Sequence, residues 1–149
     1  MDLFEKLIKV NFFEFVSRSG KNSKTGWSGH GTGNVEIIKD NNNTVYFKEH
    51  GNFKLESSSQ DIKISNEYVW HSINPQEISL SHARFGYANL VKLFDLIEVD
   101  NTYWRSKQEH VCVDDLYSAD LRVLDNHIKL VWRIVGPKKG ETIEYLYLF

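Results

Sequence analysis

This chain of 149 residues has one cysteine, no excess of basic charge and no long apolar run. The lone cysteine, Cys112, cannot form an internal disulfide, whereas a secreted domain of this size usually carries paired cysteines. No apolar segment approaches the roughly 18 residues needed to span a bilayer, and acids stand where a signal peptide needs a basic region. We therefore expect a cytoplasmic protein with neither export nor membrane insertion.

The charge balance argues against nucleic-acid binding. There are 18 basic and 20 acidic side chains, for a net charge of −2, whereas affinity for nucleic acid rests largely on basic groups that neutralise phosphates. Hydrophobic residues make up 41% of the chain and aromatic residues 13%, which suits a globular core and excludes disorder, coiled coil and collagen. We interpret residues 1–149 as a single β-barrel domain, with a helix over 1–9 and the barrel over 10–149.

The N-terminal segment has the pattern of a short amphipathic helix. Its apolar residues are Leu3, Phe4, Leu7 and Ile8, which share one helical face. We expect this helix to act as a lid or a plug. The apolar residues that follow, from Phe12 onward, either extend the helix or begin the first strand, and we favour the strand.

The rest of the chain alternates between short strands and turns. Residues 128, 130, 132 and 134 are apolar and their neighbours mostly polar, the period of a strand with one buried face. No crossover helices intervene, so the sheet is antiparallel. A sandwich fits this pattern, but a barrel fits better because short links suffice and closure removes the edges. We predict an all-β, antiparallel up-and-down barrel of about eight or nine strands. The turn signals are 40–43, 51–52, 74–75, Gly86, 100–101, 125–126 and 136–140.

One predicted strand has a face almost without side chains. Gly29, Gly31 and Gly33 share the parity of Trp27 and Val35. Glycine within a strand marks a sharp bend or a close approach of another group. We favour a barrel corner, since barrels use glycine kinks for closure; the alternative is a bare face that leaves room for a ligand.

His82 and Arg84 follow an apolar strand and share the parity of Ile78 and Leu80. If the strand stays regular, both side chains point into the barrel, where a charge needs a carboxylate or an anionic ligand. An interior arginine of this kind holds the carboxylate head of an apolar ligand. If the strand instead ends near Ser81, both are solvated, as charged residues usually are.

A second polar cluster lies at residues 110–117. Asp115 has the parity of the apolar face of this strand, so we predict a bulge at Asp114 and Asp115 that shifts the register. The bulge brings His110, an aspartate and Tyr117 to one face. These are the groups that a general acid or base with an orienting carboxylate requires. The simpler interpretation is a hydrogen-bonded structural corner.

No cofactor or metal is predicted. Cys112 beside a histidine is compatible with a thiol nucleophile, but a cysteine between valines is more often a small buried hydrophobe. The six histidines are scattered without the spacing of a zinc site.

Several motifs together resemble a family of small bacterial and fungal proteins, a domain of unknown function considered calycin-like, that is, lipocalin-like. The resemblance covers most of the chain after about residue 10 and implies a single antiparallel barrel without implying any activity. The motifs are Gly26-Trp27-Ser-Gly29-His-Gly31, the Tyr46-x-x-Glu49-x-Gly51 hairpin, Tyr68-Val-Trp70, Phe94-Asp-Leu96, His110-x-Cys112-x-x-Asp115-x-Tyr117 and Gly136-Pro-Lys-Lys139.

Three functional hypotheses follow. The first is a barrel that binds a small hydrophobic or carboxylate-bearing ligand, since a barrel of about eight strands just encloses one small molecule. The second is a small enzyme that uses His110, Asp114, Asp115 and Tyr117 as acid-base groups. The third is a filled barrel that acts as an interaction module, with an exposed apolar patch near the aromatic C-terminus. The sequence makes no prediction of the oligomeric state. Candidate ligand-binding residues are Trp27, Tyr68, Trp70, Tyr117 and Trp132 as walls, and His82, Arg84 and His110 as polar anchors.

Overall fold

The structure, a computed structural model, describes residues 3–20, 28–41, 43–58, 60–107, 110–112, 115–137 and 140–149. For residues 110–112 it describes the backbone alone. It contains one helix, α1 (Leu3–Leu7), and eleven strands in the described part of the chain. The strands are β1 (Phe12–Ser19), β2 (Gly29–Asp40), β3 (Thr44–Leu55), β4 (Asp61–Asn74), β5 (Glu77–His82), β6 (Val91–Asp100), β7 (Tyr103–Ser106), β8 (His110–Cys112), β9 (Asp115–Val123), β10 (His127–Val135) and β11 (Gly140–Leu148).

The strands form one closed antiparallel barrel in chain order, which confirms the predicted architecture. The first strand, β1, pairs with β2 on one side and with β11 on the other, so no edge is left at the chain ends. Both β7 and β8 pair with β9, along successive parts of its length, so the described strands occupy ten positions around the barrel. The predicted count of eight or nine strands is therefore too low. The reason is a reversal of the chain between Cys112 and Asp115 that the sequence pattern did not signal.

One predicted turn is wrong. Residues 51–52 lie inside β3, and the chain turns only after Leu55. Gly51 pairs with Gly33 of β2, and a Cβ atom on Gly51 would lie 2.8 Å from the Gly33 Cα. The two glycines thus allow a close approach of two backbones at a bend of the barrel, which is the alternative meaning of glycine in a strand. The other predicted turns are confirmed as far as the described residues go, including the one after Asp40, where Asn41 has a φ of 56°.

The helix closes one end of the barrel, as expected of a plug. It spans only Leu3–Leu7, shorter than predicted, and both of these terminal residues are buried in the main core. The strand favoured at Phe12 is present. Next to the plug, large buried side chains fill the barrel. Burying each of them stabilises the fold by roughly 1.5–3 kcal/mol. The core at this end includes Phe47, Trp70, Phe94, Leu96, Leu121, Ile128 and Leu130.

The opposite end of the barrel is where β1 ends and β11 begins. This end carries the connections β3–β4, β5–β6 and β10–β11. Within the described residues, none of the helices has the length and apolar character required to cross a membrane.

Candidate functional site

A cavity of about 630 Å³ occupies the half of the barrel away from α1. Its wall is formed by the inward faces of β1, β3, β4 and β11, together with Arg84 and Trp132. The barrel is therefore filled at the helix end and hollow at the other. The apolar part of the wall consists of Phe15, Phe53, Ile62, Ile64 and Ile143.

Aromatic rings cover the glycine face of β2. A Cβ atom on Gly31 would collide with the ring of Phe15, and one on Gly29 would lie 2.8 Å from the ring of Phe53. The two rings are stacked, with centroids 5.6 Å apart. The bare face is thus filled by the protein's own side chains and by the barrel bend, rather than left open for a ligand, and the cavity lies beyond these rings.

Arg84 is a cationic group of the cavity wall. Strand β5 ends at His82, so Arg84 follows the strand and is exposed, yet it lines the cavity. Its guanidinium carbon lies 5.8 Å from the ring centroid of Phe85. His82 is half-buried, with its ring centroid 5.0 Å from that of Tyr68. Burial lowers the pKa of His82, and the positive charge of Arg84 lowers it further.

A buried carboxyl group lies behind the inner end of the cavity. Glu49 on β3 is only 1% exposed. The hydroxyl of Tyr147 donates to its Oε2 at 2.7 Å, and the hydroxyl of Tyr145 donates to its Oε1 at 3.1 Å. Burial raises the pKa of the Glu49 carboxyl to about 8, although both hydrogen bonds act to lower it. The carboxyl group is therefore mostly protonated at neutral pH.

Tyrosine hydroxyls connect this carboxyl group to the cavity. Tyr145 and Tyr68 both line the cavity, with their ring centroids 6.4 Å apart in an edge-to-face arrangement. Burial raises the pKa of Tyr145 and of Tyr147 well above the usual value, and the negative charge of Glu49 adds to the effect. Burial also raises the pKa of Tyr68, against the influence of the Arg84 charge. All three tyrosines thus remain neutral hydrogen-bonding groups across the physiological range.

A model described as a family of unknown function, DUF6314, matches residues 15–148. The chain belongs to the DUF6314 family. The match includes every residue of the cavity wall and Glu49, and it confirms the expected resemblance to a domain of unknown function. No curated protein matches the chain.

Two of the predicted wall residues of this DUF6314 chain, Tyr68 and Trp132, line the cavity. Tyr117 is buried next to Trp132, at 6.5 Å between ring centroids. Trp70 is fully buried in the packed half, 6.0 Å from Phe47, and is a core residue. Trp27 lies outside the described residues.

The predicted bulge at residues 114–115 is wrong. In the DUF6314 barrel, β8 and β9 form a hairpin in which His110 is paired with Tyr117 and Cys112 with Asp115. A register shift within one strand is therefore not needed to bring positions 110 and 117 together, because the chain reverses between them. The hairpin leaves Tyr117 buried and Asp115 half-buried. Asp114, the lysines at 138–139 and the side chain of His110 lie outside the described residues.

Sequence reasoning missed Glu49, Tyr145 and Tyr147 as members of a site. The signal was present, because Glu49 has the inward parity of Val45 and Phe47 on the same strand. The interaction-module hypothesis places an exposed apolar patch near the aromatic C-terminus. In the structure both tyrosines are buried, and Phe149 packs against the core.

Proposed function

We propose that this protein is a calycin-like barrel that binds one small, partly apolar molecule with an anionic group in the open half of its barrel. The observation that carries the proposal is the cavity, whose volume of about 630 Å³ lies within the roughly 300–1,000 Å³ of small-molecule sites. Its apolar wall and few polar groups match the usual composition of such sites. The packed helix end favours a binding site at the open end alone.

The polar groups favour an anion at one side of the cavity. Arg84 supplies a planar guanidinium suited to a carboxylate, and Tyr68 lies close enough to interact with its charge. Lys63 borders the cavity but is exposed on the outward parity of β4, while Glu141 contributes a negative charge to the wall. A molecule with its anionic head at Arg84 and its apolar part against Ile64 and Ile143 satisfies this arrangement.

The hollow end distinguishes this proposal from an interaction module. A barrel that serves only as a scaffold is expected to be filled by its own side chains, as happens here around Trp70. Apolar side chains such as Ile62 and Ile64 are only half-buried, and a ligand would remove their remaining surface from water at about 25 cal/mol per Å². This gain is the expected driving force for binding.

We also propose a reducing compartment such as the cytoplasm. The chain carries a single cysteine, Cys112, and disulfide pairs are the usual mark of an oxidising environment.

The first test is calorimetric titration of the protein with dodecanoate, an apolar chain with a carboxylate head. We expect saturable binding of one molecule per barrel. Replacing Arg84 by Gln removes the charged anchor and should weaken binding about tenfold, the loss of one charge-assisted hydrogen bond at a partly solvated site. Native mass spectrometry of gently purified protein then identifies any natural ligand.

The matched control is Arg105→Gln, which removes the same charge from an exposed position on β7 outside the cavity wall. Its affinity should equal that of the unmodified protein. Equal weakening by both substitutions would contradict a specific role for Arg84, and failure of dodecanoate and of all co-purified molecules to bind would refute the proposed function.

A further inference from the structure

Four polar side chains form a chain of contacts from the cavity into the core: Tyr68, Tyr145, Glu49 and Tyr147. The first two line the cavity. Glu49 and Tyr147 lie behind them, each about 1% exposed. The chain therefore has an end at the cavity and an end that solvent does not reach.

The protonation state of Glu49 sets the direction of these hydrogen bonds. When Glu49 is ionised it only accepts, so Tyr145 and Tyr147 both donate to it. Each tyrosine hydroxyl has one proton. Tyr145 has then used its proton on Glu49. In this state Tyr145 has no proton to offer the cavity.

Protonation of Glu49 reverses its hydrogen bond to Tyr145. The carboxyl proton on Oε1 is donated to the hydroxyl oxygen of Tyr145, 3.1 Å away. Tyr145, which lines the cavity, then has its own proton free to donate toward the cavity. Tyr147 still donates to Oε2, so no buried hydroxyl loses its partner.

A ligand carboxylate distinguishes between these two states. An anion next to Arg84 and Tyr145 needs donors, so it binds better when Tyr145 offers its proton. The same anion repels the negative charge of an ionised Glu49 across a region of low dielectric constant. Both effects act in the same direction and favour the protonated carboxyl group.

We propose that Tyr68 and Tyr145 form the polar subsite for the carboxylate of the ligand, and that Glu49 takes up a proton when this carboxylate binds. The inference rests on the proposed ligand-binding function and deepens it. The other neighbours of Glu49 do not interfere, since its partners across the sheet, Val35 and Asn66, carry no titratable group. The titratable or charged groups beside Tyr68 are Arg84 and the half-buried His82.

The test is calorimetry of dodecanoate binding in pairs of buffers with different ionisation enthalpies. The dependence of the measured heat on the buffer gives the number of protons taken up. Because the pKa of Glu49 is about 8 in the free protein, the carboxyl group is mostly ionised at about pH 8.5 and mostly protonated at about pH 6.5. We expect uptake of more than half a proton per dodecanoate at the higher pH and almost none at the lower pH.

Three variants locate the source of the proton. Glu49→Gln keeps a hydrogen-bonding group of the same shape and should bind dodecanoate without proton uptake. Tyr145→Phe removes the donor between Glu49 and the cavity, so it should weaken binding and reduce the uptake to the part that charge repulsion supplies. Tyr147→Phe is the matched control, because it removes a hydroxyl bound to Glu49 on the side away from the cavity. It should retain proton uptake, with its onset moved to higher pH because the hydrogen bond that it loses lowers the pKa of Glu49 in the unmodified protein. Dodecan-1-ol, which has the same tail without the charge, should bind with no uptake.

Binding of dodecanoate to the unmodified protein without proton uptake at about pH 8.5 would overturn this inference and leave the proposed function intact. Uptake that persists in Glu49→Gln would also overturn it, since another group would then be the acceptor. Absence of any binding would instead overturn the proposed function and this inference together.

Discussion

Replacement of Glu49 by Gln should remove most of the pH dependence of stability above about pH 5. The carboxyl group has an ordinary pKa of 4.5 and a pKa of about 8 in the folded protein. Between these values the unfolded chain releases the proton and the folded protein keeps it, so the free energy of unfolding falls as the pH rises. The stabilisation is fully present below the unfolded pKa and is lost as the pH approaches the folded value. Glutamine does not titrate, and its amide can still bond to both tyrosines.

The magnitude follows from the size of the shift. One pKa unit corresponds to 1.36 kcal/mol, so the full effect is about 5 kcal/mol, and roughly 3–4 kcal/mol of it falls between about pH 5 and pH 8. Glu49 is almost fully buried, so solvent screening does not reduce this value greatly. The lowered pKa of His82 gives an opposite slope at acidic pH, but this contribution is present in both proteins and cancels in their difference.

The assay is urea unfolding followed by tryptophan fluorescence at several pH values in this range. The free energies of unfolding of the two proteins should diverge with pH, with the unmodified protein losing stability relative to Glu49→Gln as the pH rises. Parallel curves would refute the reasoning, because they would mean that the folded and unfolded states bind the Glu49 proton equally well.

Three further predictions concern the fold and the cavity. Gly51→Ala should destabilise the barrel by about 1–3 kcal/mol or more in urea unfolding, because the new Cβ atom would overlap the backbone of β2. Gly140→Ala should destabilise it much less, because no atom lies within 4 Å of its Cβ position. Leu7→Ala should cost about 2–5 kcal/mol by the same assay, since this fully buried side chain of the plug leaves a cavity. Trp132→Phe should abolish most of the fluorescence change caused by dodecanoate, whereas Trp70→Phe should retain it, because Trp132 lines the cavity and Trp70 is buried in the packed half.

The architecture was accessible from the sequence because strand period and turn residues are local signals. Alternation along β10 and the apolar spacing of Leu3 and Leu7 predicted the barrel and its plug. Glycine was ambiguous, since it marks both turns and close backbone contacts. Gly51 lies within a strand because it contacts Gly33 of β2. That contact forms only when β2 and β3 pair in the folded barrel, so the sequence around Gly51 does not reveal it.

The site was harder to predict because it depends on partners distant in the chain. Glu49 and Tyr147 are separated by 98 residues in sequence and joined by one hydrogen bond. Parity placed Glu49 inside, but a charged residue in a strand is usually interpreted as solvated. Arg84 lines the cavity from a connection after β5, where strand parity no longer specifies direction.

The most direct test of ligand binding in the open half is an amide NMR titration with dodecanoate. Residues of the cavity wall such as Phe15, Ile64 and Ile143 should shift in a saturable manner, while those at the plugged end, such as Leu3 and Leu7, should stay unchanged. Saturating dodecanoate that shifts no resonance of the cavity wall, or shifts only those of the outer face, would contradict a binding site inside the barrel.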